Sequence, residues 1–298
     1  MDEIIYIDSV NRFNADRGQE TLHPLVTVLD QSKSQRLTQE RRRSGLYMVF
    51  FKELKCGELL YGRGNYDYQE GTMVFIGPGQ VFGVKKPDEM IQPSGWALAF
   101  HPDLLNGTSL ARKIKEYGFF SYDLNEALHL SEREKQIVLE CFQKIRFELE
   151  HAIDKHSKNL VVSNIELLLN YCVRYYDRQF ITRDNANRDL LGKFEALLNE
   201  YFTDDRPQTI GLPSVAYCAA ELHLSANYFG DLIKKETGRT AQEYIQDKII
   251  QLAKERVFDT GKSIAELSYE LGFKYPQHFT RLFKQRVGQT PNEYRLLN

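Results

Sequence analysis

Cysteine is scarce and scattered: Cys56, Cys141, Cys172 and Cys218 form no CxxC pair. A cysteine zinc site needs closely spaced ligands, and disulfide frameworks belong to small secreted chains, so neither is expected. Cys141, Cys172 and Cys218 stand among apolar neighbours in helical patterns and read as buried, reduced thiols. No apolar run approaches the ~18 residues that span a bilayer. The start, Met1-Asp2-Glu3-Ile4-Ile5-Tyr6, has no basic stretch ahead of an apolar core, so no signal peptide is read and the cytoplasm is the expected compartment. A basic surplus is missing too. The formal net charge is −2, and after Leu212 lysines and arginines only slightly outnumber acids, so charge alone suggests no nucleic-acid partner. What remains, 42% hydrophobic and 27% charged over 298 residues, is a soluble globular composition long enough for two domains.

The apolar pattern changes along the chain. Between Leu25 and Phe100 the runs are short, at 25–29, 46–51 and 73–76, with Trp96, Leu98 and Phe100 alternating. Turn residues separate them at 55–58, 69–71, 77–79 and 92–95. Short strands so spaced predict a small barrel or sandwich. After His101-Pro102-Asp103 helical spacing takes over, and 104–117 reads as a helix with Pro102 near its start. Ser131 and Glu134 form a capping box ahead of the stripe Val138, Cys141, Phe142, Ile145 and Leu149. A second helix, from about Asn159, carries Val161, Ile165, Leu168, Leu169, Cys172 and Tyr176. The short polar link 154–158 makes the two an antiparallel hairpin, which packs on the barrel and offers a dimer seam. Residues 179–189 are polar and aperiodic and read as a linker; a helix follows at 190–202, stopped by Asp204-Asp205-Arg206-Pro207. The expected domains are 1–180 and 190–298.

The last part of the chain repeats itself, 215–245 against 264–295. Ala216, Glu221 and Leu222 match Ala265, Glu270 and Leu271. After one extra residue in the second copy, Phe229, Leu232, Lys234, Gly238, Thr240, Glu243 and Tyr244 match Phe279, Leu282, Lys284, Gly288, Thr290, Glu293 and Tyr294. A length change tolerated at one point, with helical spacing kept on both sides, predicts two helix–turn–helix units. Gly272 suits the left-handed position after the first helix of copy two; His223 holds that place in copy one, a poorer fit. Residues 241–258 read as one connecting helix.

The second copy resembles the AraC/XylS family of transcription regulators through Ile264-Ala265, Leu271-Gly272-Phe273, Phe279-Thr280-Arg281-Leu282-Phe283-Lys284, Gly288, Thr290-Pro291 and Glu293-Tyr294-Arg295. The resemblance implies two helix-turn-helix units held by a connecting helix, each placing one helix in successive major-groove segments on one DNA face. More loosely, the N-terminal part resembles the family's cupin-like regulatory barrel followed by helices. The expected fold class is α+β: a cupin-like β-barrel with a helical hairpin, then an all-α domain. Expected partners are promoter or operator DNA, a second copy of the chain, RNA polymerase and a small organic effector, with no cofactor and no membrane.

Residues near the start of the second helix of such a unit reach base edges. In copy two the candidates are Tyr275, Gln277, His278, Thr280 and Arg281, with Gln277 suited to adenine and Arg281 to guanine or phosphate. Lys284 and Arg286 suit phosphates. In copy one Gly230 and Asp231 cannot read bases that way, leaving Asn227, Tyr228, Lys234 and Lys235. Phe229, Phe273, Phe279 and Phe283 have core spacing. Metal-dependent cupins carry histidines and a carboxylate on adjoining strands; 64–71 has no histidine, and His23 and His101 are isolated. Gly62-Arg63-Gly64 is too short for a nucleotide loop. No catalytic or metal site is read, so the chain is expected not to be an enzyme. Tyr61, Tyr66, Tyr68, Phe75, Phe82 and Trp96 suit either a barrel core or an effector pocket. A regulator under effector control and a constitutive binder whose barrel only dimerises both stay open.

Overall fold

The computed structural model describes residues 4–52, 71–83, 86–123, 126–152, 154–182 and 184–297. It divides into two units, Met1–Thr182 and Arg183–Asn298. In the first, β1 (Ile5–Ile7), β4 (Arg42–Ser44) and β7 (Val81–Phe82) form one sheet, and β3 (Leu37–Gln39) pairs with β8 (Lys86–Ile91). The largest sheet combines β2 (Val26–Asp30), β5 (Tyr47–Lys52), β6 (Thr72–Ile76), β9 (Trp96–Phe100) and β10 (Leu128–His129), antiparallel in the order β10-β6-β5-β9-β2. Helix α1 (Val10–Ala15), capped by Ser9, lies between β1 and β2 in the chain.

Residues opposed across an antiparallel ladder share a face. Met48, Phe50, Val74, Ile76, Ala97, Ala99 and Leu29 thus stand on one face, and Val49, Phe51, Met73, Phe75, Trp96, Leu98 and Phe100 on the other. Both faces are covered, which is why these strands read as apolar runs more than as alternation. The first face packs with Ile7, Val10, Phe13, Leu46 and Phe82. The second lies under a helical hairpin, α3 (Glu132–Glu150) and α4 (Ser157–Thr182). Trp96 meets Phe142 at 6.3 Å between ring centres, Phe75 meets Tyr176 at 6.1 Å, and Cys172 Sγ lies 3.9 Å from Met73 Sδ. The Ser131–Glu134 capping box opens α3, and all the stripe residues of both helices are buried within the chain.

Two expectations are corrected. Residues 104–117 do not form one helix: a 3-10 turn (Pro102–Leu105) leads to Gly107 at φ +78°, then α2 (Leu110–Lys113) and a further 3-10 turn (Ile114–Glu116). The left-handed glycine interrupts a spacing that is otherwise helical. Nor are residues 179–189 aperiodic coil. Helix α4 continues to Thr182, and α5 (Asp184–Tyr201) begins two residues on. Polarity misled there: Gln179 is buried, accepting from the His129 N–H at 2.8 Å and donating to the Ala127 carbonyl at 3.2 Å.

The second unit is helical: after α5 come α6 (Arg206–Ile210), α7 (Val215–Glu221), α8 (Ala226–Thr237), α9 (Ala241–Arg256), α10 (Ile264–Glu270), α11 (Pro276–Val287) and α12 (Pro291–Leu297). The stretch 204–207 ends α5 and also opens α6, with Pro207 in its first turn. Phe194 of α5 packs edge-on against Phe229 at 4.9 Å and beside Tyr244 at 5.3 Å. In copy two Tyr294, the counterpart of Tyr244, packs on Phe283 and Phe258 at 5.5 and 5.8 Å. Capping boxes at Thr240/Glu243, Ser263/Glu266 and Thr290/Glu293 start α9, α10 and α12. Backbone N–H bonds hold all three carboxyls below the usual carboxylate range. Arg295 donates to the carbonyls of Val257 and Lys262, tying α12 to the end of α9.

Two glycines separate backbone from packing effects. Gly272 has φ +92°, and a Cβ there would meet the Gly211 backbone at 2.9 Å and the Pro207 carbonyl oxygen at 3.0 Å. Gly230, inside α8, has open space where a Cβ would stand. Gly272→Ala is expected to destabilise by more than about 1 kcal/mol, and Gly230→Ala to stabilise by about 0.5–1 kcal/mol. Denaturant unfolding of the full chain measures both, and shifts of the same sign would contradict the assignment.

Candidate nucleic-acid interface

Each repeat is a helix, a turn and a longer helix. The turn holds residues 222–225 in copy one and 271–275 in copy two, so the extra residue lies in it. Both turns leave the first helix through a Schellman motif. In copy one the N–H groups of Leu224 and His223 bond the carbonyls of Ala219 and Ala220 at 2.9 and 3.0 Å. In copy two Phe273 and Gly272 bond Ser268 and Tyr269, both at 3.0 Å. The left-handed residue is Gly272 in one and His223, at φ +58°, in the other; His223 is the only non-glycine with positive φ among the described residues.

The second helices, α8 and α11, bury one edge: Phe229, Leu232 and Ile233 in α8, Phe279 and Phe283 in α11. Gln277, His278, Arg281 and Lys284 are exposed on α11, and Asn227, Lys234 and Lys235 on α8. Tyr275, also exposed, caps the start of α11 without a side-chain bond, and its ring meets His278 at 5.5 Å. Thr280 is half-buried and its hydroxyl donates to the Pro276 carbonyl at 3.1 Å, so it is occupied within its own helix. Tyr228 departs from expectation: it is buried, whereas His278 at the equivalent position is exposed. Helix α11 carries Arg281, Lys284 and Arg286 and no acid, while in α8 Lys234 and Lys235 are offset by Asp231 and Glu236. Phosphate attraction is therefore concentrated on copy two.

Arg286, expected on phosphate, is held elsewhere. It donates to Gln246 Oε1 at 2.8 Å and lies 3.5 Å from Asp247, both on α9. Arg239, just past the end of α8, donates to the other Asp247 oxygen at 2.8 Å. One carboxylate on the connecting helix thus joins the C-terminal ends of both outer helices. Sequence spacing gave no signal for this link, because its three members lie in three different elements.

The effector candidates among the described residues fall on two faces of the sheet. Phe75 and Trp96 face the helical hairpin, whereas Phe82 packs on the opposite face of the sheet. Tyr61, Tyr66, Tyr68, Cys56 and Gly62-Arg63-Gly64 lie outside the described residues. His23 Nδ1 accepts from the Leu25 N–H and His101 Nδ1 from the Asp103 N–H, so both serve local turns. Among the described residues there is no His/Cys/Asp/Glu group that could hold a metal, and no helix long and apolar enough to cross a membrane.

Residues 218–296 match the family described as a helix-turn-helix domain. The chain is 24% identical over 248 residues to YfiF of Bacillus subtilis, an uncharacterized HTH-type transcriptional regulator, covering 79% of this chain and 74% of that protein. It is 30% identical over 102 residues to AdaA of Bacillus subtilis, a bifunctional transcriptional activator/DNA repair enzyme, covering 34% of this chain and 47% of AdaA. An AraC-type regulator structure from Chromobacterium violaceum aligns over 38% of this chain and 94% of that one, with 20% identity and a TM-score of 0.33. The second unit is thus a helix-turn-helix DNA-binding domain. Over that domain the chain is similar to transcription regulators of the AraC/XylS family. Cys141, Cys172 and Cys218 are buried, and burial pushes each thiol up, Cys218 to about 11.

The Asp247 link has a measurable consequence. Exposed ion pairs add little stability, about 1 kcal/mol or less, so Asp247→Ala is expected to leave the unfolding midpoint almost unchanged. It should weaken discrimination between a target duplex of natural half-site spacing and one lengthened by a base pair, measured by gel shift. Full discrimination in the variant would mean that packing alone sets the spacing.

Proposed function

We propose that this chain is a sequence-specific regulator that binds promoter DNA as a homodimer in the cytoplasm, under control of a small organic effector held by the first unit. Helices α8 and α11 enter successive major-groove segments, α11 supplying most of the base contact and charge. The observation carrying this reading is the exposed row Gln277, Arg281 and Lys284 on a helix fixed at both ends, by a Schellman turn before it and by Gly288 at φ +87° after it. Contact with RNA polymerase at the promoter belongs to the same reading.

The DNA assignment is tested on a duplex selected from a random pool with the full chain. Gln277→Ala and Arg281→Ala are each expected to weaken specific binding by about 1–3 kcal/mol and to relax preference at one base pair. Lys284→Ala should weaken all sequences alike and lower the salt slope by about 1. Unchanged affinity and preference in both Gln277 and Arg281 variants would sink the base-reading role.

The dimer cannot use the stripes read from the sequence, since these are spent on packing inside the chain. A different row on α4 serves instead: Leu160 and Leu167, exposed by 46% and 40%, with Asn164 and Tyr171 between and beyond them at helical spacing. Leu160→Arg with Leu167→Arg is expected to convert a dimer to a monomer by sedimentation at micromolar concentration, with the far-ultraviolet spectrum preserved. A wild type that is monomeric there, or a dimer that survives both changes, contradicts the seam.

A further inference from the structure

The first unit holds a buried cation with no ion-pair partner among the described residues. Arg17, just past α1, is 4% exposed. Its guanidinium lies over the Phe13 ring at 3.6 Å and donates once, to the Phe13 carbonyl at 2.9 Å. Its Nε has no partner, and among the described residues no carboxylate reaches it within ion-pair distance. A guanidinium has five N–H donors and loses much by being buried unpaired.

A second guanidinium stands near it. Arg42 lies on β4 opposite Phe82 of β7, its side chain 12% exposed. It donates to the Thr38 carbonyl at 3.0 Å, to the Glu40 carbonyl and Thr38 hydroxyl at 3.5 Å each, and pairs loosely with the Glu40 carboxylate at 3.8 Å. Its charge is felt at Arg17: burial first, then Arg42, holds the Arg17 guanidinium well below its ordinary value, with Asp16 acting weakly the other way. Aromatic rings adjoin the pair. Phe13 meets Phe50 at 6.3 Å, and Phe50 and Phe82 pack on the same core as Phe13. The neighbouring backbone is fixed, with Gln35 donating to the carbonyls of Arg17 and Asp16, both at 3.0 Å. Beside it the buried Ser34 hydroxyl also lacks a partner.

We propose that this region binds a small organic carboxylate, with Arg17 and Arg42 as its counter-ions and Phe13, Phe50 and Phe82 against its apolar body. The proposal rests on the reading of the first unit as the effector-holding one and gives that effector a chemical class. A carboxylate accepts through two oxygens and matches the guanidinium fork, whereas a neutral amide of the same shape brings no charge. The set differs from the aromatic residues singled out in the sequence, of which only Phe82 belongs to it.

The test is thermal unfolding of the full chain with benzoate and octanoate, against benzamide, octanamide and inorganic phosphate. At least one carboxylate is expected to raise Tm by about 5 °C at a hundredfold excess over its Kd, with the amides and phosphate giving little. Arg17→Met should abolish that shift while melting at or above the wild type, because an unpaired buried charge is replaced by an apolar side chain of similar length. Isothermal titration with the same carboxylate should lose at least tenfold in affinity in Arg17→Met and keep part of it in Arg17→Lys. Amides that act as well as carboxylates, with the response kept in Arg17→Met, would overturn the anionic class and leave an effector-holding unit standing. No shift from any probe would overturn the proposal, and the DNA reading would still be judged separately by Arg281→Ala.

Discussion

Two left-handed backbone positions, His223 and Gly272, set the geometry on which the second unit depends. Each turns the chain from the first helix of a repeat into its outer helix, and each does so with the same pair of Schellman bonds. The hydrogen bonds satisfy carbonyls that the end of a helix would otherwise leave open, so the turn angle is tied to bonding that the backbone requires. The rest follows from that angle. It brings Phe229 and Phe279 inward, and with them it fixes which residues of α8 and α11 stay outside. Copy two adds a restraint that copy one lacks, since Gly272 is pressed against Gly211 and the Pro207 carbonyl near the end of α6. The glycine is required there twice over, by its dihedral and by its lack of a side chain. His223 meets the dihedral alone and carries the ordinary cost of a side chain at positive φ.

A chain with a formal net charge of −2 can still present a strong local field to DNA. Screening limits exposed charges to roughly 8–10 Å at physiological salt, so what matters is the charge near the groove. On α11 that charge is wholly positive, and Arg286 is partly withdrawn into the Asp247 link. The remaining exposed cations, Arg281 and Lys284, lie four and seven residues after Gln277 and so share its face. Helix α8 has no such surplus. The two repeats, alike in fold, therefore differ in charge: α11 carries only cations, whereas the lysines of α8 are offset by Asp231 and Glu236.

The repeat, the Ser131–Glu134 capping box and the left-handed Gly272 were legible in the sequence because each has a local cause. Helical spacing, Ser/Thr three residues ahead of Glu, and a glycine after the last turn act within a few residues of themselves. The failures have a common cause in long-range contacts. Alternation in β5, β6 and β9 tells which residues share a face, but both faces are buried, so nothing local shows that Phe75 and Trp96 face the hairpin while Phe82 lies on the other side. Gln179 reads as a linker residue until its buried bonds to β10 and the preceding residue are seen. Tyr228 and His278 occupy equivalent positions, yet one is buried and the other exposed, which depends on neighbours that the repeat does not share. Arg286 is a phosphate candidate by spacing and a structural link by contact.

The two units also differ in how completely their buried polar groups are satisfied. In the second, Ser268 Oγ is the one described buried side-chain atom without a partner. In the first, Asn14 Oδ1, Arg17 Nε and Ser34 Oγ are all unpaired in one neighbourhood. An unpaired buried polar group is a standing cost to the free protein, and a charged one is the costlier. A ligand that pairs with it recovers part of that cost, so binding energy becomes available to favour whichever arrangement of this neighbourhood leaves the pair best formed. Coupling to DNA affinity then needs only that such arrangements differ in how they carry the second unit, since a ligand moves an equilibrium solely through its unequal affinity for the two states. About 1.4 kcal/mol of that difference changes occupancy tenfold. Among the described residues, the unpaired buried polar atoms thus gather in the first unit, where a ligand has the most to gain, and the DNA-binding unit is left nearly satisfied.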